Sequence, residues 1–267
     1  MSDDPGELRR VSLRGVLLNL LPKVALSRLC GLLAGAPLPR ALRAPFYGWF
    51  ARRYGADLEL LDRDLADFRS LQQFFQRPLR AGARPIATTP LVWPCDGRII
   101  TCGPVAQGRV EQLKGHDYEL ADLLGDRELA HALDGGSQAT VYLAPGDYHR
   151  VHAPFAGTVE RVTALPGTLF PVNPPAVRCI PRLFVRNSRH VFHCRLADGR
   201  RGAVVMVGAF NVGATTVTAA PGAALDAGDE LGRFGFGSTA VALVARGTAS
   251  FAAIAPETRV WMGDAAI

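Results

Sequence analysis

The spacing of hydrophobic residues divides this chain into a helical beginning and a long, strand-rich remainder. Between residues 8 and 54, apolar blocks (VLLNLL, LCGLLAGAPL, FYGWF) alternate with the basic residues Lys23, Arg28, Arg40 and Arg43. Over 58–79, Leu61, Leu65, Phe68, Leu71 and Phe75 approximate one helical face, and Pro78, Gly82 and Pro85 then punctuate the chain. From Leu91 onward the runs shorten. GRIITCG, ATVYLAPG, GTVERVTAL, RCIPRLFVRN, RHVFHCRL, GAVVMVGAFNVGATTV, STAVALVA and TRVWMG all read as strands, and only 118–133 returns to a helical pattern. The prediction is an α+β chain: an N-terminal helical segment (1–57) followed by a mainly-β, sandwich- or barrel-like core (58–267).

Charge changes the picture of the first segment. The formal net charge is +6, and residues 1–54 hold nine basic and three acidic residues, so the rest of the chain is neutral on balance. No nucleic-acid-binding module accompanies that charge, and no nucleic-acid partner is expected. The longest charge-free stretch there, 29–39, is eleven residues, against the roughly 20 that a helix needs to cross a bilayer. Apolar stripes with basic flanks, and Tyr47, Trp49 and Tyr54 as interfacial aromatics, describe a segment lying on an anionic membrane surface. Helices packed on their own domain are the alternative. Lys23 and Arg28 interrupt the candidate signal-peptide core and no cleavage site follows. The expected location is therefore peripheral, on the cytoplasmic side of the cell membrane.

Composition removes several chemistries. Five scattered cysteines (Cys30, Cys95, Cys102, Cys179, Cys194) without a CxxC pair argue against a disulfide framework or a zinc site, and no metal is expected. No GxGxxG or P-loop suggests a nucleotide. Three clusters remain. WPCDGR (93–98) puts Asp96 in a turn before a strand, DYHRVHAP (147–154) carries His149 and His152, and GDELGRFGFGST (228–239) ends in Gly237-Ser238-Thr239. Each also reads as an ordinary turn or hairpin, and an aspartate, a histidine and a serine picked from sequence make only a weak triad.

Taken in order, the motifs say more. FFQRPLRAGARPI (74–86), PCDG (94–97), LKGHDYELADLLG (113–125), YHRVHAP (148–154), FPVNP (170–174), LFVRNSR (183–189), VGAFNVGATTV (207–217) and GDELGRFGFGST (228–239) together resemble the phosphatidylserine decarboxylase family. The departures are Cys95 where an apolar residue is usual, Ser188 in place of a glutamate, and FGFGST around an intact Gly237-Ser238.

The resemblance implies a zymogen that cuts itself between Gly237 and Ser238, leaving fragments 1–237 and 238–267 as a heterodimer, with pairing of heterodimers left open. Ser238 would become a covalent pyruvoyl group, the cofactor and the electrophile for the amine of phosphatidylserine. The products would be phosphatidylethanolamine and carbon dioxide. By the same resemblance Asp96, His152 and Ser238 form the self-cleavage triad and His149 serves decarboxylation or proton transfer. The residues add one independent point: Lys23 and Lys114 are the two lysines and 115–267 has none, which disfavours a pyridoxal enzyme or a lipoyl carrier. A pyruvoyl decarboxylase of another serine lipid or amino acid, and a non-catalytic membrane-binding β module, are the alternatives.

Overall fold

The computed structural model describes residues 23–113, 116–209, 215–235 and 238–267. Gly237 of the expected cleavage bond, Lys114, residues 210–214 of VGAFNVGATTV and residues 1–22 of the expected membrane segment lie outside them.

Helices α1 (Lys23–Gly35) and α2 (Arg40–Tyr54) come first, then the short α3 (Leu71–Phe75). No described helix is long and apolar enough to cross a membrane. α2 stops where Gly55 takes the left-handed conformation (φ 74°) and its N–H caps Ala51 O. Tyr47 and Phe50 of α2 are buried with Phe68, Phe74 and Phe75 in an aromatic core of their own, and the Tyr47 and Phe74 rings stack at 4.8 Å. The continuous helix expected over 58–79 does not form. A 3-10 turn at Leu65–Asp67 and α3 are its helical parts, while Leu61 bridges to Leu79. Ser70 starts α3 afresh by accepting from Gln73 N–H (3.3 Å). The apolar period arises because irregular chain delivers Leu61, Leu65 and Phe68 to that aromatic core.

The strands are β1 (Gly97–Pro104), β2 (Arg109–Leu113), β3 (His116–Glu119), β4 (Ser137–Leu143), β5 (Arg150–His152), β6 (Gly157–Leu165) and β7 (Arg189–Leu196). They continue as β8 (Arg201–Val207), β9 (Thr216–Val217), β10 (Ala224–Leu225), β11 (Glu230–Arg233), β12 (Ser238–Val244) and β13 (Arg259–Val260). Eight form one antiparallel sheet in the order β10-β6-β7-β8-β12-β4-β1-β13, curled into a half-barrel. A three-stranded sheet (β5-β11-β9) and the β2–β3 hairpin complete the set.

Helices α4 (Leu120–Leu124) and α5 (Arg127–Leu133) divide the 118–133 pattern at Gly125 (φ 63°), and Asp126 caps α5 by accepting from Leu129 N–H (2.9 Å). The strand expected at RCIPRLFVRN is instead two short helices, α6 (Pro174–Cys179) and α7 (Leu183–Arg186). Asn173 before Pro174 is a helix start, with its side chain accepting from Ala176 N–H (3.1 Å).

Both faces of the large sheet are covered, which is why β12 is buried at every position and its sequence shows no polar alternation. Ala240, Ala242 and Val244 enter one core with Val151, Ala153, Leu231 and Phe234, from and around β5 and β11. Val241 and Leu243 enter the other with Leu120, Leu124, Leu133 and Phe184 from the helices. The two-residue period of a strand puts Ser238 on the face of Ala240, toward the β5–β11 layer.

Candidate active site

The three sequence clusters meet through backbone bonds. His152 N–H donates to Pro94 O (2.8 Å), joining the second cluster to the first, and Phe234 N–H donates to His149 O (2.9 Å), joining the third to the second. Strand β5 pairs with β11, with His152 opposite Glu230. A Cβ on Gly97 would stand 2.3 Å from Tyr142 O, so glycine there lets the Asp96 turn lie close against β4.

Asp96 is buried, and its carboxylate is fully engaged. It accepts from Arg84 Nε (3.0 Å) and Nη2 (2.6 Å) and from Met262 N–H (2.9 Å). The guanidinium of Arg84 lies over the Trp261 ring, as does that of Arg259, whose Nη2 donates to Asp147 (2.8 Å). His152 forms its ring hydrogen bonds elsewhere: Nδ1 is 2.7 Å from Gly228 O, and Nε2 is 3.1 Å from the Tyr148 hydroxyl. A carbonyl only accepts, so Nδ1 carries the hydrogen and Nε2 accepts from Tyr148. Gly228 O is therefore the hydrogen-bond partner that orients this imidazole, and Asp96 touches Arg84 rather than His152. Burial pushes the His152 pKa down, against the Gly228 bond, which raises it.

His149 is the more deeply buried of the pair. Phe75 covers its ring (centroids 3.9 Å apart), and Nδ1 donates to Asp147 O (2.9 Å). Nε2 has no hydrogen-bond partner among the described residues. Burial pushes its pKa down to about 3, so at neutral pH it offers a bare lone pair.

Ser238 begins β12 opposite Leu143, fully buried, and its Oγ likewise has no partner among the described residues. A buried hydroxyl left unsatisfied is costly, and here it belongs to the residue expected to react. Asp96, Arg77, Arg84, Asp147, Tyr148 and Trp261 contribute to the wall of a cavity of about 280 Å³ between the end of α2 and the β core. Sequence reasoning assigned no task to Arg77, Arg84, Tyr148 or Gly228. All four stood in motifs that carried the family resemblance, but the Gly228 carbonyl, like any backbone carbonyl, leaves no signal in side-chain identity.

A buried serine hydroxyl without a partner among the described residues, on the sheet face covered by a layer carrying two neutral histidines, is equipment for nucleophilic and proton-transfer catalysis. Residues 71–267 match the family model described as phosphatidylserine decarboxylase. A phosphatidylserine decarboxylase proenzyme of Azoarcus sp. (strain BH72) is 42% identical over 268 residues, covering 92% of each chain. One of Pseudomonas aeruginosa PAO1 is 44% identical over 255 residues, 84% of this chain and 85% of that protein. The chain belongs to the phosphatidylserine decarboxylase family.

Proposed function

We infer that this chain is a pyruvoyl-dependent phosphatidylserine decarboxylase made as a self-cleaving proenzyme. The observation that carries the reading is the buried Ser238 hydroxyl at the head of β12, without a hydrogen-bond partner among the described residues, in a chain whose close relatives are named proenzymes.

Self-cleavage starts with Ser238 Oγ attacking the Gly237 carbonyl carbon while His152 takes the hydroxyl proton. The amide is exchanged for an ester. Loss of the Ser238 Cα proton then breaks the Cβ–O bond, leaving a carboxylate on Gly237 and a dehydroalanine at position 238. One water hydrolyses that to the ketone and releases ammonia. His152 Nε2 is the accepting atom, because Gly228 O holds Nδ1–H, so Tyr148 has to yield its hydrogen bond. Asp96 acts on the imidazolium as a nearby charge, held in place by Arg84. A buried strand head suits conversion to a pyruvoyl group, since among the described residues no hydrogen bond is lost when the Oγ is consumed.

The pyruvoyl group would supply a ketone for the substrate amine and an electron sink for the pair left on the α-carbon when carbon dioxide departs. His149, neutral and with Nε2 unpartnered among the described residues, holds and returns the proton at the carbon that loses carbon dioxide. Excluding water from that carbon is the task of Phe75 and the apolar residues around Val151.

The product, phosphatidylethanolamine, stays in the bilayer, and the helical segment meets the lipid. Leu29, Leu32, Leu33, Leu42 and Trp49 are exposed on α1 and α2, with Arg40, Arg52 and Arg53 among them. Each basic group near an anionic surface contributes on the order of 1 kcal/mol. The enzyme is thus a peripheral protein of the cytoplasmic membrane face, composed of fragments 1–237 and 238–267.

The test combines intact mass with activity. Cut protein must yield a 238–267 fragment with a pyruvoyl N-terminus and release carbon dioxide from carboxyl-labelled phosphatidylserine. Ser238→Ala must remain one inactive chain; fragments ending at Gly237 in that variant would mean that an external protease makes the cut.

A further inference from the structure

We propose that Arg77 is a positioning residue for His149, holding the one carbonyl that orients its imidazole. The inference rests on the role of His149 given above.

The geometry is a short relay. Arg77 Nη2 donates to Gly146 O (2.7 Å) and to Asp147 O (3.0 Å), and that same Asp147 O accepts from His149 Nδ1 (2.9 Å). Two residues earlier, Phe75 lies on the His149 ring. Between them, Gln76 O accepts from Arg150 Nη2 (3.0 Å), just beyond His149. The tripeptide 75–77 therefore grips the turn that carries His149 along its whole length. From the other side the end of α2 closes on it, since a Cβ on Gly146 would come within 2.1 Å of Tyr54 O.

Packing gives one use for the guanidinium, which lies over the Phe74 ring, 5.4 Å from its centroid, and its two hydrogen bonds give another. Arg77 is 2% exposed, has no carboxylate hydrogen-bonded to it, and leaves Nε and Nη1 without partners among the described residues. Burial pulls its pKa down to about 10, so it still carries its charge at neutral pH. Such a charge is expensive to bury, and a neutral donor would serve two carbonyls at less cost. Its charge does act on His149, where it adds to burial in disfavouring the imidazolium.

The other polar groups around the ring are occupied or uncharged. The Asp147 carboxylate is taken by Arg259 and Ala144 N–H, the Tyr148 hydroxyl by His152, and Phe234 N–H bonds the His149 main chain. Ser238 carries no charge. Burial keeps the ring neutral and, among the described residues, Arg77 is the charged group that adds to it, while its hydrogen bond to Asp147 O helps hold the ring Nδ1-protonated and open at Nε2.

The experiment compares full-length Arg77→Gln and Arg77→Lys with the parent for cleavage, kcat, KM and the pH profile of carbon dioxide release. Both variants should cut, because His149 works after cleavage. In Arg77→Gln, kcat should fall by roughly 10- to 100-fold with KM little changed, and the acid limb should move to higher pH. Arg77→Lys keeps the charge, so its limb should stay near that of the parent. A parental rate and limb in Arg77→Gln would overturn the proposal; so would a uniform loss of rate with the limb unmoved, the signature of a merely structural role.

Should Arg77→Gln fail to accumulate, ring nitrogen shifts of the parent decide. His149 must be neutral and Nδ1-protonated at pH 7, and an Nε2–H tautomer or titration near neutrality would refute the relay. His149→Ala separates the two readings. If it cuts and is fully active, the role of His149 falls. If it is impaired beside a normal Arg77→Gln, only the present inference falls.

Discussion

Two histidines three residues apart have different surroundings, and the difference assigns them different tasks. His152 shares its Nε2 with a tyrosine hydroxyl and is held by a carbonyl next to β11, whereas His149 is sealed beneath Phe75 with Nε2 unpartnered among the described residues. If the turn were only structural, either substitution would produce one shared defect. We expect His152→Ala to remain uncut. His149→Ala should cut but release carbon dioxide about 10²–10⁴-fold more slowly; gel fragments and labelled carbon dioxide measure the two outcomes separately.

Burial of His149 also predicts an acid sensitivity. Its folded pKa of about 3 lies below the ordinary 6.5. As pH falls through that window the unfolded chain gains a proton that the folded one refuses, so stability falls. From pH 6.5 to 5 the loss from this group is about 2 kcal/mol at most. Urea midpoints of Ser238→Ala with and without His149→Gln, at both pH values, should show a flatter dependence in the double variant.

At the scale of elements, α2 has two duties that a deletion would confuse. Tyr47 and Phe50 are core residues of the aromatic cluster under Phe74 and Phe75, while Trp49 and Leu42 face outward. Removing residues 8–54 would uncover that cluster and weaken the support of His149, whatever its effect on lipid binding. Point charges on the outward side separate the duties. Leu32→Glu with Trp49→Glu should move the protein from the pellet of anionic vesicles to the supernatant at low salt while leaving self-cleavage intact. Equal sedimentation of that variant would mean that these helices serve packing alone.

For the whole molecule, the decisive fact is where the proposed cut falls in the sheet. β12 is an interior strand, paired along its length with β8 and β4, and the same fragment supplies β13, the Met262 N–H on Asp96 and the Arg259 pair to Asp147. Breaking the chain before Ser238 leaves those pairings in place. The two fragments should therefore co-elute under native conditions and part only in denaturant, and native mass against denatured mass will tell. Spontaneous separation at neutral pH would contradict this arrangement.

The α+β character, the β-rich remainder and the motif clusters around Asp96, His149, His152 and Ser238 were legible in sequence because turn residues, hydrophobic period and ordered motifs are local properties. Sequence also proposed a long helix over 58–79 and a strand at RCIPRLFVRN, and there tertiary packing decided otherwise. An apolar residue needs a core, and the aromatic cluster accepts Leu61, Leu65 and Phe68 from irregular chain just as Val177 and Phe184 reach the sheet from short helices. The sharing of polar partners was invisible for a similar reason. That Asp96 goes to Arg84, His152 to Gly228 O, and Arg77 to the carbonyl orienting His149 depends on which chain segments lie side by side. Hydrogen bonds to backbone carbonyls are set by that proximity, and no side-chain pattern along the sequence encodes it.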